Sequence, residues 1–597
     1  MINFFKRSAH EFHIPVMGTG FTIGSPFDVA RYGISSVVSL VDDVLIEQMR
    51  RYYTAKYGKP YEAIGGTEHD ARARRICAYL NLMNTVVGEQ SASLRASPFE
   101  PGSEITRYYE LLPAGELKSQ YQKMLVATDA VERLRLQADL REQAVPGGID
   151  VNIMTKLDRL PLENGTPMAA EFSDGLSALR GYATSDVSSG IVFSAGLNAS
   201  LYSSLSDYPD FRPDASGRSK KTVILKVSDY RSALIQGRFL AKRGIWVSEF
   251  RIESGLNCGG HAFATQGFLM GPILEEFKNN REELCQRLHE DYNKGLVSRG
   301  LAPMAAPRDM LVTVQGGIGT HAEHRALLQY YKMDGTGWAT PFLLVPEATS
   351  VDDEHLTRLL AATEADVKLG LSSPMGIPFW TLQTAASEEQ RRKHIADGNP
   401  GSDCPKGYLE LNTEFEGTPL CIASHDYQRQ KLAQIDASDL PPATKARVMA
   451  DVLAKSCICH DLGAGATLKA GIVKTAYTSI CPSLTIVHFK ALASLEEMVG
   501  HIYGRISLMK DSDRPHMFIR ELSLYVDHLR NELARIADGV YERKLSYYAE
   551  FKQNLMEGIS YYQDRFMDFV SEHQDRFCAD LSRIKSQIEQ IQVDSCT

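Results

Sequence analysis

Short apolar runs of period two alternate with stretches of helical spacing from the start of the chain to about residue 342. The runs are rich in β-branched and aromatic residues and predict eight strands, at 13–17, 34–40, 149–154, 190–194, 223–227, 246–252, 311–317 and 334–342. Apolar residues recurring at three and four predict helices at 26–32, 229–242, 273–295 and 320–331. Eight strands alternating with helices is the count of a (β/α)8 TIM barrel; open doubly wound sheets usually have fewer. The connection 45–148 is helical, charged and too long for a barrel crossover, so it reads as a helical insertion. Beyond the barrel, 352–368 reads as a helix, and the segment from 517 to about 592 reads as almost continuous helix. The expected division is barrel strands one and two in 1–44, the insertion in 45–148, strands three to eight in 149–380, a cysteine-bearing region in 381–500 and a helical arm in 501–597. The C-terminal extension is thus mostly helical. Its apolar seam, which includes Leu522, Leu529, Phe551, Leu555, Ile559, Phe569, Leu581 and Ile584, packs on the body or joins subunits in a homo-oligomer.

Composition changes this picture little. The 597 residues are 44% hydrophobic and 23% charged, which suffices for a large core. A net charge of −9 without basic blocks speaks against nucleic-acid binding. No apolar run is long enough to span a bilayer, and the first residues lack the pattern of a secretory signal, so a cytoplasmic protein is expected.

The candidate chemistry lies at strand ends. Strand six runs into Gly259-Gly260-His261, a histidine on a glycine loop where a flat ligand can come close. Strands seven and eight end in Gly316-Gly317-Ile318-Gly319 and Gly335-Thr336-Gly337. In a barrel, the loops after the last two strands form a phosphate site from backbone amides and a helix N-terminus, which Thr320 would cap here. His321 and His324 read as solvated helix residues, and Trp338 and Trp380 as core.

Together with Pro15-Val16-Met17-Gly18-Thr19, Val151-Asn152, Phe193 to Leu197, Lys226-Val227 and Ser372 to Pro378, these motifs resemble, in order, those of the nitronate monooxygenase (2-nitropropane dioxygenase) family. The flavin-dependent enoyl-acyl-carrier-protein reductases belong to the same group. The match covers roughly residues 10–44 and 149–380. The resemblance implies an FMN-dependent oxidoreductase. Its phosphate would sit at Gly316, Gly317, Gly335 and Thr336, and its ring would lie against Met17, Gly18 and Thr19, beside Gly259 and Gly260. Asn152 and Lys226 would contact the flavin's polar edge, and His261 would be the catalytic acid or base. The family's Glu-Ala pair before Gly-Gly-His is Asn257-Cys258 in this chain. The alternatives are an enoyl-thioester reductase acting on carrier-bound acyl chains and a non-catalytic flavin-binding assembly protein. Expected partners are a small-molecule or acyl-thioester substrate and an electron-donor protein.

Five of the ten cysteines fall late: Cys404, Cys421, Cys457, Cys459 and Cys481. In a chain without an export signal such a group points to metal or redox use before disulfides. Cys404, Cys421, Cys457 and Cys459 are the candidate ligands of an iron–sulfur cluster or, alternatively, zinc, with His460 or Cys481 as substitutes. Separate buried thiols fit the spacing as well.

Overall fold

The computed structural model describes residues 9–593 apart from 157, 164, 195, 215–216, 261–264, 510–513 and 542. Eight parallel strands, β1 (Phe12–Ile14), β2 (Ser35–Ser39), β3 (Ile149–Ile153), β4 (Ser189–Phe193), β5 (Lys221–Val227), β6 (Val247–Glu253), β7 (Leu311–Gln315) and β8 (Gly335–Gly337), follow one another round a closed barrel. Pairing of Phe12 with Thr336 and of His13 with Gly337 closes it. The (β/α)8 reading holds, and each expected strand is present, shortened most in β1 and β8.

The period of two in β6 sends Glu249, Arg251 and Glu253 to one face and Phe250 and Ile252 to the other. Glu249 and Arg251 are buried. Glu249 Oε1 accepts from Arg251 Nε at 2.8 Å and from Thr313 Oγ1 at 2.6 Å, so the two charges are paired along β6 and the carboxylate is tied to β7 by a neutral hydroxyl. His13 lies in the same layer. Burial and then Arg251 push its imidazole down to about 3, so it stays neutral.

Within the predicted insertion, the helix Ala71–Ala96 lies along the barrel helix Asp174–Ala183 so closely that a Cβ on Gly181 would stand 2.6 Å from the Ala73 carbonyl. Arg72 pairs with Asp174 at 3.1 Å across the same seam. Glu104–Leu111, Glu116–Val126 and Ala130–Gln143 lie outside that layer and leave Leu125, Val126, Val131 and Leu134 exposed.

After the barrel the helix expected over 352–368 ends at Ala361. Val367–Gly370 is instead a strand, antiparallel to Phe379–Leu382. The expected continuous arm is three helices, Met517–Ala537, Leu545–Phe569 and Gln574–Glu589, broken after Ala537 and at His573, whose φ is +53°. Their seam residues are buried within the chain. The arm grips the segment that follows the Gly259-Gly260 loop: Asn554 Nδ2 donates to the Gln266 carbonyl at 2.8 Å, and Gly267 leaves room for Phe551.

Two arm side chains also cap the helix Met270–Val297. Met270 N donates to Glu521 Oε2 at 2.8 Å and Gly271 N to the Tyr562 hydroxyl at 3.1 Å. Burial pushes the Glu521 carboxyl up to about 8. Its folded value lies above the unfolded one, so its contribution is complete below about pH 4.5 and is lost as pH rises toward 8. Glu521→Gln keeps the shape and removes the titration. Urea denaturation of both proteins from pH 5 to 8.5 should show wild-type stability falling relative to the variant, at up to about 1.4 kcal/mol per pH unit. Parallel pH profiles would show that Glu521 is not the titrating group.

Candidate functional site

A cavity of about 160 Å³ opens at the C-terminal ends of the strands, where barrels carry their chemistry. Gly18 and Thr19 after β1, Asn152 in β3, Lys226 in β5 and Gly259 and Gly260 after β6 all line it. These residues are far apart in sequence, and barrel closure brings them together. Met17 is wholly buried, its backbone N–H donating to Thr22 Oγ1. His261 lies outside the described residues.

The opposite wall comes from later chain: Met375, Ile377 and Phe379 beyond the barrel, Leu409, and Ile458, Cys459 and Leu462 of the helix Ile458–Lys469 and its neighbourhood. That helix lies directly on the β1 loop. A Cβ on Gly20 would stand 2.9 Å from Gly463 Cα, so this approach requires a residue without a side chain. On the other side Trp380 N donates to the Gly259 carbonyl at 3.2 Å and Gly259 N to the Cys481 carbonyl at 3.3 Å.

The cavity is polar on its barrel side. Glu253 Oε1 accepts from Lys226 Nζ at 3.0 Å, Asn257 Nδ2 at 2.6 Å and Gln315 Nε2 at 2.7 Å. The carboxylate fixes the ammonium at the wall and orients the Asn257 amide. Thr19 Oγ1, Asn152 Oδ1 and Asn257 Oδ1 are buried without a hydrogen-bond partner. An unsatisfied buried polar atom costs about 1–3 kcal/mol, so three on one cavity call for a polar occupant. The Cys258 thiol, also on the wall, donates to the Cys481 carbonyl at 2.8 Å and lies 3.2 Å from Cys481 Sγ; that neighbour and burial push its pKa up.

Gly316, Gly317, Gly335 and Thr336 do not join this cavity. Gly335 and Thr336 are strand residues of β8, and Thr336 Oγ1 is engaged by His324 Nδ1 at 2.9 Å and by Trp338 Nε1 at 3.1 Å. His324, expected in solvent, is fully buried, and burial lowers its pKa. Gly316 and Gly317 pack on Asn257 and Leu256. The helix His321–Gln329 is capped as expected by Thr320, in a capping box that brings in Glu323. Glu323 Oε2 takes the amide of Gly319 at 2.8 Å and Oε1 that of Met517 at 2.7 Å, while Arg514 pairs with Oε1 at 2.6 Å. Burial opposes ionisation of Glu323, but Arg514 and the other partners outweigh it and hold the carboxyl below its usual range. The N-terminus expected to hold a phosphate therefore already holds the chain's own carboxylate.

The structure gathers the four candidate metal-ligating cysteines. Cys421, Cys457 and Cys459 form a small buried core with Leu409 and Ala423, and Cys404 packs against it. All described cysteines are free thiols. Among the described residues no three His, Cys, Asp or Glu side chains are disposed round a single metal ion.

Sequence reasoning missed Glu253, Gln315, Glu323 and Arg514. Alternating charges in the apolar strand β6 signalled an interior polar ladder, whereas nothing local marked Arg514, 191 residues from Glu323.

No family model matches the chain, and no curated protein matches its sequence. Among solved structures, a nitroalkane oxidase from Streptomyces ansochromogenes is 10% identical, with 84% of this chain and 96% of that one covered, at a TM-score of 0.35. The enoyl reductase domain of MlnA, from the macrolactin biosynthesis cluster of Bacillus amyloliquefaciens, is 13% identical, with 76% and 93% covered, at 0.33. These are the two kinds of protein that the motif resemblance names. At such TM-scores the likeness adds no argument, and the barrel stands on its own strand order.

Glu323→Ala leaves the Arg514 guanidinium buried and unpaired, and should cost about 3–5 kcal/mol in chemical denaturation. The vacated amides then form an anion site. Inorganic phosphate should raise the melting temperature of the variant and leave wild type nearly unchanged. An equal response in both proteins would contradict this account of the helix N-terminus.

Proposed function

We propose that the protein is a flavin-dependent oxidoreductase of the nitronate monooxygenase-like kind, with the flavin ring in the cavity at the mouth of the barrel. The observation that carries this reading is the set of unpartnered atoms, Thr19 Oγ1, Asn152 Oδ1 and Asn257 Oδ1, on the wall that also presents Lys226. A bound flavin would supply hydride or single-electron chemistry. Asn152 and Thr19 would hydrogen-bond its polar edge. Lys226, held by Glu253, would present positive charge there, and the φ of +93° at Gly259 keeps backbone in place of side chain beside the ring. Phe379, Ile377 and Leu462 would exclude water. His261, next in the chain after Gly260, is our candidate for moving a proton to or from a carbon acid.

The residues fit the ring end of FMN. They do not fit its phosphate at Gly316 and Gly317, because Glu323 and Arg514 fill that place. This filled site is the observation that favours the second reading, a barrel kept as a non-catalytic scaffold. Asn257-Cys258 in place of the family's Glu-Ala pair weighs against a small nitroalkane as the substrate.

Purified full-length protein should carry extractable flavin or take it up on reconstitution. Asn152→Ala and Lys226→Met should each weaken uptake at least about tenfold, the loss of one or two hydrogen bonds. His261→Ala should keep the flavin and slow its substrate-dependent reduction about 10²–10⁴-fold. Protein that stays colourless after reconstitution would leave only the scaffold reading.

A further inference from the structure

Cys258 follows β6, and Cys481 lies in the chain that covers the barrel mouth, after the helix Ile458–Lys469. They are 223 positions apart in sequence, yet their sulfurs stand 3.2 Å from each other. Both are free thiols. The sulfurs of a disulfide lie about 2.05 Å apart, so joining these two asks for a shift of about 1 Å.

Backbone on both sides fixes the meeting. The Cys481 carbonyl accepts from the Cys258 thiol at 2.8 Å and from Gly259 N at 3.3 Å. Around Cys481, Leu382 N donates to the Ile480 carbonyl at 3.1 Å, and Ser483 N to Thr340 Oγ1 at 3.1 Å. The two sulfurs are therefore held against each other by their main chains, as well as by burial.

The pair is also open from one side only. Cys258 lines the barrel cavity, and Cys481 is wholly buried behind it. A cavity of about 160 Å³ admits a small oxidant to Cys258 and leaves Cys481 as the thiol that answers it. The neighbouring thiol and burial push the Cys258 pKa up, and Lys226 works against them. A thiol held protonated is a slow nucleophile, which suits a latch set by oxidation better than a group used in every turnover.

We propose that Cys258 and Cys481 form a redox modification site, where hydrogen peroxide converts the two thiols into a disulfide that bolts the covering chain to the β6 loop. Cys258 sulfur attacks the peroxide, the O–O bond breaks, and a sulfenic acid and one water result. Cys481 sulfur then attacks that sulfur, and the sulfenic oxygen leaves as a second water. The two thiols give up two electrons and two protons, and the peroxide takes both. A dithiol reductant reverses the bond by thiol–disulfide exchange. The inference holds whatever occupies the cavity.

For the test, reduced full-length protein is treated with hydrogen peroxide, unfolded in excess iodoacetamide, digested and mapped by mass. Cys258 should be joined to Cys481 with neither alkylated, and dithiothreitol should return both to alkylation. Because the link closes a long loop in the unfolded chain, the urea midpoint of treated wild type should rise and fall back with dithiothreitol. Cys258→Ser and Cys481→Ser should show neither link nor rise, while Cys77→Ser, on the insertion helix Ala71–Ala96, should show both. The wild-type map decides the matter if a serine variant does not fold. Full alkylation of both thiols after peroxide, Cys258 driven to sulfinic acid beside a free Cys481, or Cys258 joined to Cys459 of the same cavity wall would overturn the proposal. So would a link that leaves the wild-type midpoint unmoved.

Discussion

The C-terminal end of a barrel is an opening, and most of the chain beyond β8 is folded to cover it. Strand-end amides, carbonyls and apolar side chains exposed there must be satisfied by something. The helix Ile458–Lys469 lies on the β1 loop, the strand Phe379–Leu382 and the segment at Cys481 hydrogen-bond the β6 loop, and Arg514 closes the β7 loop. The cavity is what this cover leaves unfilled, and its polar wall belongs to the barrel while its apolar wall belongs to the cover.

A second constraint is charge inside the barrel. Glu249, Arg251 and Glu253 stand on one face of β6, where an unpaired charge would be prohibitive. Arg251 pairs with Glu249 along the strand, Glu249 also takes Thr313 of β7, and the last rung, Glu253, meets Lys226, Asn257 and Gln315 at the cavity wall. Structural pairing deep in the barrel thus continues into the arrangement that presents a cation to the site.

The barrel was legible because strands of period two between helices leave few alternatives, and because strand ends are where the motifs fell. The grouping of Asn152, Lys226, Gly18, Thr19, Gly259 and Gly260 came from the family resemblance of these motifs, and all six line the cavity. Legibility failed where one residue's role depends on a distant partner. Thr320 is the helix cap that its sequence position suggests, but Glu323 and Arg514 turn that cap into a plug. His324 read as solvated because its burial is imposed by Trp338 and Tyr503 and not by its own helix. The strand Val367–Gly370 was absorbed into a helix because its partner lies beyond a loop.

The grip of the arm on the β6 loop has a consequence in time. The loop holding Gly259 and Gly260 is translated long before Phe551, Asn554 and Tyr562, which secure the segment behind it. At about 5–20 residues per second, the roughly 300 intervening residues take on the order of 15–60 s to emerge from a ribosome. For the later part of that interval, once β7 and β8 have also emerged, the barrel strands are all available to close, but the mouth is uncovered and the segment leading into the helix Met270–Val297 is unheld. A nascent chain of this protein therefore passes through a state with a finished barrel and an unfinished site, exposing the apolar rim to chaperones or to other nascent chains.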